Sequence, residues 1–292
     1  MPSLGRPRDS PGRRLEERLR RARSAGERLL VVYLTVADPL TDGPPDLAPV
    51  LAAAGADVLE LGIPTPGTRP RGAVIGASFQ RARARDGSEA GVGAGASARV
   101  WSRLRRLRRD LPAVPLVLLI YPETVEDIGW SELLRESTRA GIDGMVLTEP
   151  GERDLERVRS AGVHAIPLIR SAATAGVARR LEYFASGLTY RTLGTRTGEP
   201  LDADSVKRVA ALLATDATKP FLAGFGIRYS QEIRALVPHV AGVVIGSEFL
   251  RLITETPENE RATRAVALIR EWKSATVLGS VQRAGGPLVT QR

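Results

Sequence analysis

The stretch Gly55-Ala56-Asp57-Val58-Leu59-Glu60-Leu61-Gly62-Ile63-Pro64 decides how this chain is read. An alanine-rich run over residues 47–54 precedes it, and Gly55 stands where a helix closes on a residue in the left-handed region. Val58, Leu59 and Leu61 then form a compact apolar run, ended by Gly62 and Pro64, as in a short buried strand. Glu60 does not fit a purely structural strand. It sits between leucines near the carboxyl end, where ligands meet side chains in parallel α/β proteins. Taken alone, a lone glutamate is more often solvated or paired with an arginine.

The same helix end, glycine and strand recur at Ala140-Gly141-Ile142-Asp143-Gly144-Met145-Val146-Leu147 and at Ala161-Gly162-Val163-His164-Ala165-Ile166. Apolar runs at residues 29–34, 115–121, 188–190, 220–224 and 241–246 complete a set of eight, with helical patterns between them. Eight β/α units over this length predict a (β/α)8 TIM barrel in a single domain, preceded by a short amphipathic helix over residues 13–25. A doubly wound open sheet is the alternative, but it more often uses fewer strands. The barrel is expected over residues 13–278, with disordered tails at 1–12 and 279–292, rich in glycine, proline or arginine. Residues 64–72 read as a long Pro/Gly loop and residues 86–98 as a flexible, Gly/Ala/Ser-rich segment.

Composition narrows the function. The 292 residues contain no cysteine, which excludes disulfides, thiolate metal sites and cysteine nucleophiles and fits a cytoplasmic protein. No apolar run is long enough to span a bilayer, and the N-terminus lacks the apolar core of a signal peptide, so no membrane partner is expected. The formal net charge is +9, and only Lys207, Lys219 and Lys273 are lysines, which leaves 39 of the 42 basic residues as arginine. The runs at residues 18–21 and 103–109 read as solvated helix faces, not as a nucleic-acid surface, because no recognition module or interleaved aromatic residue accompanies them. His164 and His239, the only histidines, read as structural, and no metal is implied.

Two glycine turns fall after the last two strands. Gly224-Phe225-Gly226-Ile227 follows strand seven, and Gly246-Ser247-Glu248 opens the helix after strand eight. In barrels these loops hold phosphate, because glycine lets the backbone approach and the N–H groups and dipole of a helix start attract an anion. Ser247 adds a hydroxyl donor. Residues 194–198, ending in Gly198, follow strand six and are placed to close over the same anion.

The segments Leu34-Thr35-Val36-Ala37-Asp38-Pro39, Ala53 to Pro64, Leu119-Ile120-Tyr121, Ala223 to Ile227 and Ile245-Gly246-Ser247, in this order and spacing, resemble the tryptophan synthase alpha chain family over residues 13–275. The resemblance implies a barrel that cleaves indole-3-glycerol phosphate, or a related phosphorylated substrate, to indole and glyceraldehyde 3-phosphate in tryptophan biosynthesis. It implies a beta chain as partner, and the pyridoxal cofactor of that complex belongs to the beta chain, so no cofactor is expected here. Glu60 matches the carboxylate that moves protons, and Tyr121 a supporting residue. Gly198, Gly224, Phe225, Gly226, Gly246 and Ser247 match the phosphate site. The family's second carboxylate, which holds the indole N–H, falls at Arg71, and an arginine accepts no hydrogen bond. Glu123 and Glu149 are the nearest acids that could substitute. Thr65-Pro66-Gly67-Thr68 also departs from the family where it touches the beta chain. The alternative is a non-catalytic barrel that binds a phosphorylated ligand or serves as a partner subunit.

Overall fold

The computed structural model describes residues 12–70, 72–85, 94–194 and 217–278. Eight parallel strands close into one barrel in sequence order: β1 (Leu29–Thr35), β2 (Val58–Gly62), β3 (Leu116–Ile120), β4 (Gly144–Leu147), β5 (His164–Ile169), β6 (Thr189–Thr192), β7 (Phe221–Gly224) and β8 (Gly242–Ile245). β8 pairs back onto β1, with Val31 opposite Val244, so the sheet has no edge. All eight expected strands are present. Every residue in them is buried, as expected when helices cover the outside of a barrel and side chains fill its inside.

The helices follow from spacing and caps. α1 (Arg13–Ser24) buries Leu15 and Ala22, two turns apart. α2 (Leu47–Ala54) starts on Asp46, whose carboxylate accepts the Ala48 N–H, and ends on Gly55 at φ 120°, the left-handed residue read from sequence. α3 (Ala73–Arg85) and α4 (Ala94–Asp110) lie between β2 and β3. α4 begins at Ala94, so residues 94–98 are helical and not a flexible linker; alanine's helix propensity carries the start of the run. Past β3, α5 (Pro122–Ile128) begins with proline in its first turn, which places Glu123 at the carboxyl end of the barrel. α6 (Trp130–Arg139), α7 (Glu152–Ser160), α8 (Ala175–Phe184) and α9 (Ser230–Leu236) continue the alternation. α10 (Ser247–Glu255) follows β8 directly. α11 (Arg261–Ala275) closes the ring, burying Ala265, Leu268, Ile269, Trp272 and Ala275 along one stripe.

The arginine runs are largely structural. Arg18 pairs with Asp57, Arg108 with Asp143 at 2.7 Å, and Arg103 with both Asp42 and Asp46. His164 reaches Glu16 at 3.0 Å and ties α1 to β5.

Candidate active site

The carboxyl ends of the strands open on a cavity of about 620 Å³. Glu60 reaches it from β2, level with Tyr33 of β1. Among the described residues the Glu60 side chain has no charged partner, and its Oε1 is buried without any hydrogen bond. Burial alone pushes its carboxyl up to about 8. At neutral pH this acid therefore holds its proton, and it can give the proton away and take one back within the ordinary range.

Three tyrosines surround it. Tyr33, Tyr121 and Tyr190 all line the cavity. Burial first, and then the Glu60 charge among other terms, raises all three phenols. Two glycines make room for two of them: a Cβ at Gly62 would collide with the Tyr33 hydroxyl, and one at Gly224 with the Tyr190 hydroxyl. Of the expected supporting residues, Tyr121 is placed in the wall. Tyr33 and Tyr190 were not identified as site residues from sequence. The available signal was a polar-tipped ring within a strand, among the aliphatic residues of β1 and between Thr189 and Arg191 in β6.

The opposite wall comes from the turns after β7 and β8. Phe225 holds φ 74° and Gly226 φ 90°, two consecutive left-handed residues. For a phenylalanine this conformation costs about 1 kcal/mol and marks a constrained turn. The Phe225 ring packs edge-on against Tyr190 at 6.1 Å. Gly246 and Ser247 lead into α10, and the Ser247 Oγ is buried with no partner. An orphaned hydroxyl beside the free N–H groups of a helix start suits an anion that would take up both. Gly224 shapes this wall from the end of β7.

Charge around this wall was not read from sequence. Glu248, in the first turn of α10, is held by Arg251 at 2.7 and 3.0 Å, and Arg228 stands 3.8 Å away. Arg69 and Arg170 line the mouth; Arg170 pairs with Glu149 at 2.7 Å. Asp38, the other acid at a strand exit, is gripped by both arms of Arg81 at 2.9 and 2.6 Å and does not line the cavity. Arg71 and Gly198 lie outside the described residues, as do 195–197 of the loop after β6. Among the described residues, no cluster of three or more histidines and acids could hold a metal ion, and no helix is long and apolar enough to cross a membrane.

A closed eight-stranded barrel with a desolvated acid in the cavity at its carboxyl face, rimmed by glycine turns, has the architecture of an enzyme of the (β/α)8 class. Comparison with known proteins gives the family. The tryptophan synthase alpha chain family matches residues 19–277. The alpha chain of Halorhodospira halophila is 33% identical over 276 residues, which is 91% of this chain and 98% of that protein. The alpha chain of Solibacter usitatus is 33% identical over 79% of this chain and 85% of its own. The crystal structure of the alpha chain from Legionella pneumophila shares the fold, with a TM-score of 0.76 at 23% identity over 90% of this chain and 97% of that one. The chain belongs to the tryptophan synthase alpha chain family, and it is a lyase of that type in tryptophan biosynthesis.

Proposed function

We propose that the cavity cleaves indole-3-glycerol phosphate, or a close phosphorylated relative, to indole and glyceraldehyde 3-phosphate. The observation that carries this reading is Glu60: a buried, unpaired acid whose carboxyl is pushed up to about 8, in the same cavity as the Ser247 anion site. The phosphate binds at Phe225, Gly226, Gly246 and Ser247, with Gly224 making room behind them. The aromatic ring lies toward Glu60 among Tyr33, Tyr121 and Tyr190.

Protonated Glu60 gives its proton to the ring carbon that bears the glycerol chain, and positive charge builds on the ring nitrogen. The Glu60 carboxylate so formed takes the proton of the adjacent hydroxyl. That oxygen becomes the aldehyde carbonyl as the carbon–carbon bond breaks. The electron pair of the broken bond returns to the ring and neutralises the nitrogen. One group gives and recovers the same number of protons, so Glu60 is restored in each cycle. A carboxyl titrating near 8 suits both halves of that exchange.

The family's alpha chains work beside a beta chain, and the proposal extends that pairing to this chain through an altered contact. Its loop after β2 is tied down: the Gly67 N–H donates to Asp127 at 2.7 Å, and the Thr68 and Thr124 hydroxyls meet at 3.0 Å. Co-elution with the beta chain of the same organism tests this part.

The deciding assay is indole release by the purified protein from indole-3-glycerol phosphate, beside Glu60→Gln. Indole from the wild type and none from the variant is the expected result. Ligand protection against heat unfolding without any indole would replace this reading with a binding barrel.

A further inference from the structure

Four carboxylates line the cavity: Glu60, Glu123, Glu149 and Glu248. Two are neutralised by arginines. Glu149 is held by Arg170 at 2.7 Å, and Glu248 by Arg251 at 2.7 and 3.0 Å. A carboxylate already gripped by a guanidinium accepts further bonds weakly and lends little net charge to a neighbour. Asp127, the nearby acid of α5, is occupied by the Gly67 N–H.

Glu123 differs from these. It stands in the first turn of α5, two residues past Tyr121, and its Oε2 is buried with no hydrogen-bond partner. Among the described acids, only Glu60 and Glu123 have a buried carboxylate oxygen without a partner, and both line one cavity. Tyr121 lies between their influences: burial raises its phenol most, and the charges of Glu60 and Glu123 raise it further. A buried oxygen whose lone pair receives no donor, in a cavity proposed to take a ring that carries an N–H, is an acceptor awaiting a donor.

We propose that Glu123 supplies the second carboxylate of the reaction, accepting the N–H of the substrate ring and stabilising the positive charge that builds on that nitrogen. The inference rests on the lyase reading above. It moves a function from the loop after β2, where this sequence carries Arg71, to the loop after β3. Glu123 takes no part in the proton transfer: it accepts the N–H while Glu60 gives its proton and regains one, and the nitrogen keeps its hydrogen throughout.

The first test is steady-state indole release by wild type and Glu123→Gln. The amide oxygen still accepts the N–H, but the charge is gone. The expected result is therefore a kcat lower by about 100-fold with KM within about threefold. A kcat within about threefold of wild type overturns the proposal, as does a comparable kcat loss in Glu149→Gln with none in Glu123→Gln. A second measurement does not depend on turnover. The wild type is titrated with 3-(indol-3-yl)propyl phosphate and with its benzothiophene counterpart, in which sulfur replaces N–H. At least about tenfold tighter binding of the indole compound is expected, reduced to about twofold in Glu123→Leu. Equal binding of the two by wild type overturns the proposal even if no indole is ever released. Absence of indole with the tenfold preference intact overturns the lyase reading instead and leaves the Glu123 contact standing.

Discussion

The two ends of this barrel handle buried carboxylates in opposite ways. At the amino-terminal end, Asp57 and Asp143 are fully buried at the starts of β2 and β4. Each accepts the backbone N–H that opens the preceding strand, Leu30 at 2.7 Å and Leu116 at 3.0 Å. Each also meets two cations, Arg18 and Lys273 for Asp57, and Arg14 and Arg108 for Asp143. At the carboxyl end, Glu60 is 3% exposed and has neither cation nor backbone donor. A carboxylate surrounded by partners stays charged and serves to fix geometry. Glu60, desolvated and deprived of partners, keeps its proton and is available to move it. The strands are the same in both cases; what differs is the supply of partners at each end.

Three substitutions, read through four effects, would break or sharpen this contrast. The largest effect is expected from Glu60→Gln, which removes the only proton-carrying group and should lower kcat for indole release by about 10³- to 10⁴-fold. A loss under tenfold would mean that some other residue does this work. Next comes Asp143→Ala, which leaves Arg14, Arg108 and the Leu116 N–H without their shared acceptor. It should destabilise the fold by about 3 kcal/mol in urea unfolding, because breaking a buried pair strands the remaining charges.

The third effect has the opposite sign. Glu60 titrates at about 8 folded against 4.5 as its ordinary value. Between those limits the unfolded chain releases the proton and the folded chain retains it, so this residue lowers stability as pH rises and stops doing so above about 8. Glu60→Gln should therefore be more stable than wild type by about 2 kcal/mol at pH 8, with the gap narrowing as pH falls from about 8 and closed by 4.5. Equal melting temperatures at both pH values would show that Glu60 is paired or hydrated in solution. The smallest effect belongs to Ser247→Ala, which removes one hydroxyl from the anion site. A KM rise of about fivefold, with kcat near wild type, is expected from the loss of one charge-assisted hydrogen bond.

Much of the fold was legible because it repeats. The units Gly55-Ala56-Asp57 and Gly141-Ile142-Asp143 announce a helix end followed by a strand, and the structure gives both the same bonds at the same place. In the third unit, Gly162-Val163-His164, a histidine replaces the aspartate and turns to Glu16 of α1. Glu60 stood out as a candidate not by itself but because the barrel pattern puts a charge between two leucines at the carboxyl end of a buried strand. The glycine turns after β7 and β8 were legible for a similar reason: both loops sit at the end of a barrel where backbone must approach a ligand.

The remainder of the site depends on distances that no local pattern encodes. Nothing around Glu149 in the sequence shows that Arg170, twenty-one positions on, neutralises it. Nothing around Glu123 shows that one of its oxygens is left bare. Tyr33 and Tyr190 come from β1 and β6, and only barrel closure sets them on one wall.

The sequence by itself determined the eight-unit barrel and the family, and it singled out the acid on β2 and the glycine turns after β7 and β8 as site candidates. Each of these is written in short segments whose periodicity or backbone freedom has few physical solutions. Only the tertiary structure decided which carboxylates are paired and which are bare. A charge's behaviour depends on the groups within a few ångströms of it, and in a closed barrel those groups come from strands and loops distant along the chain.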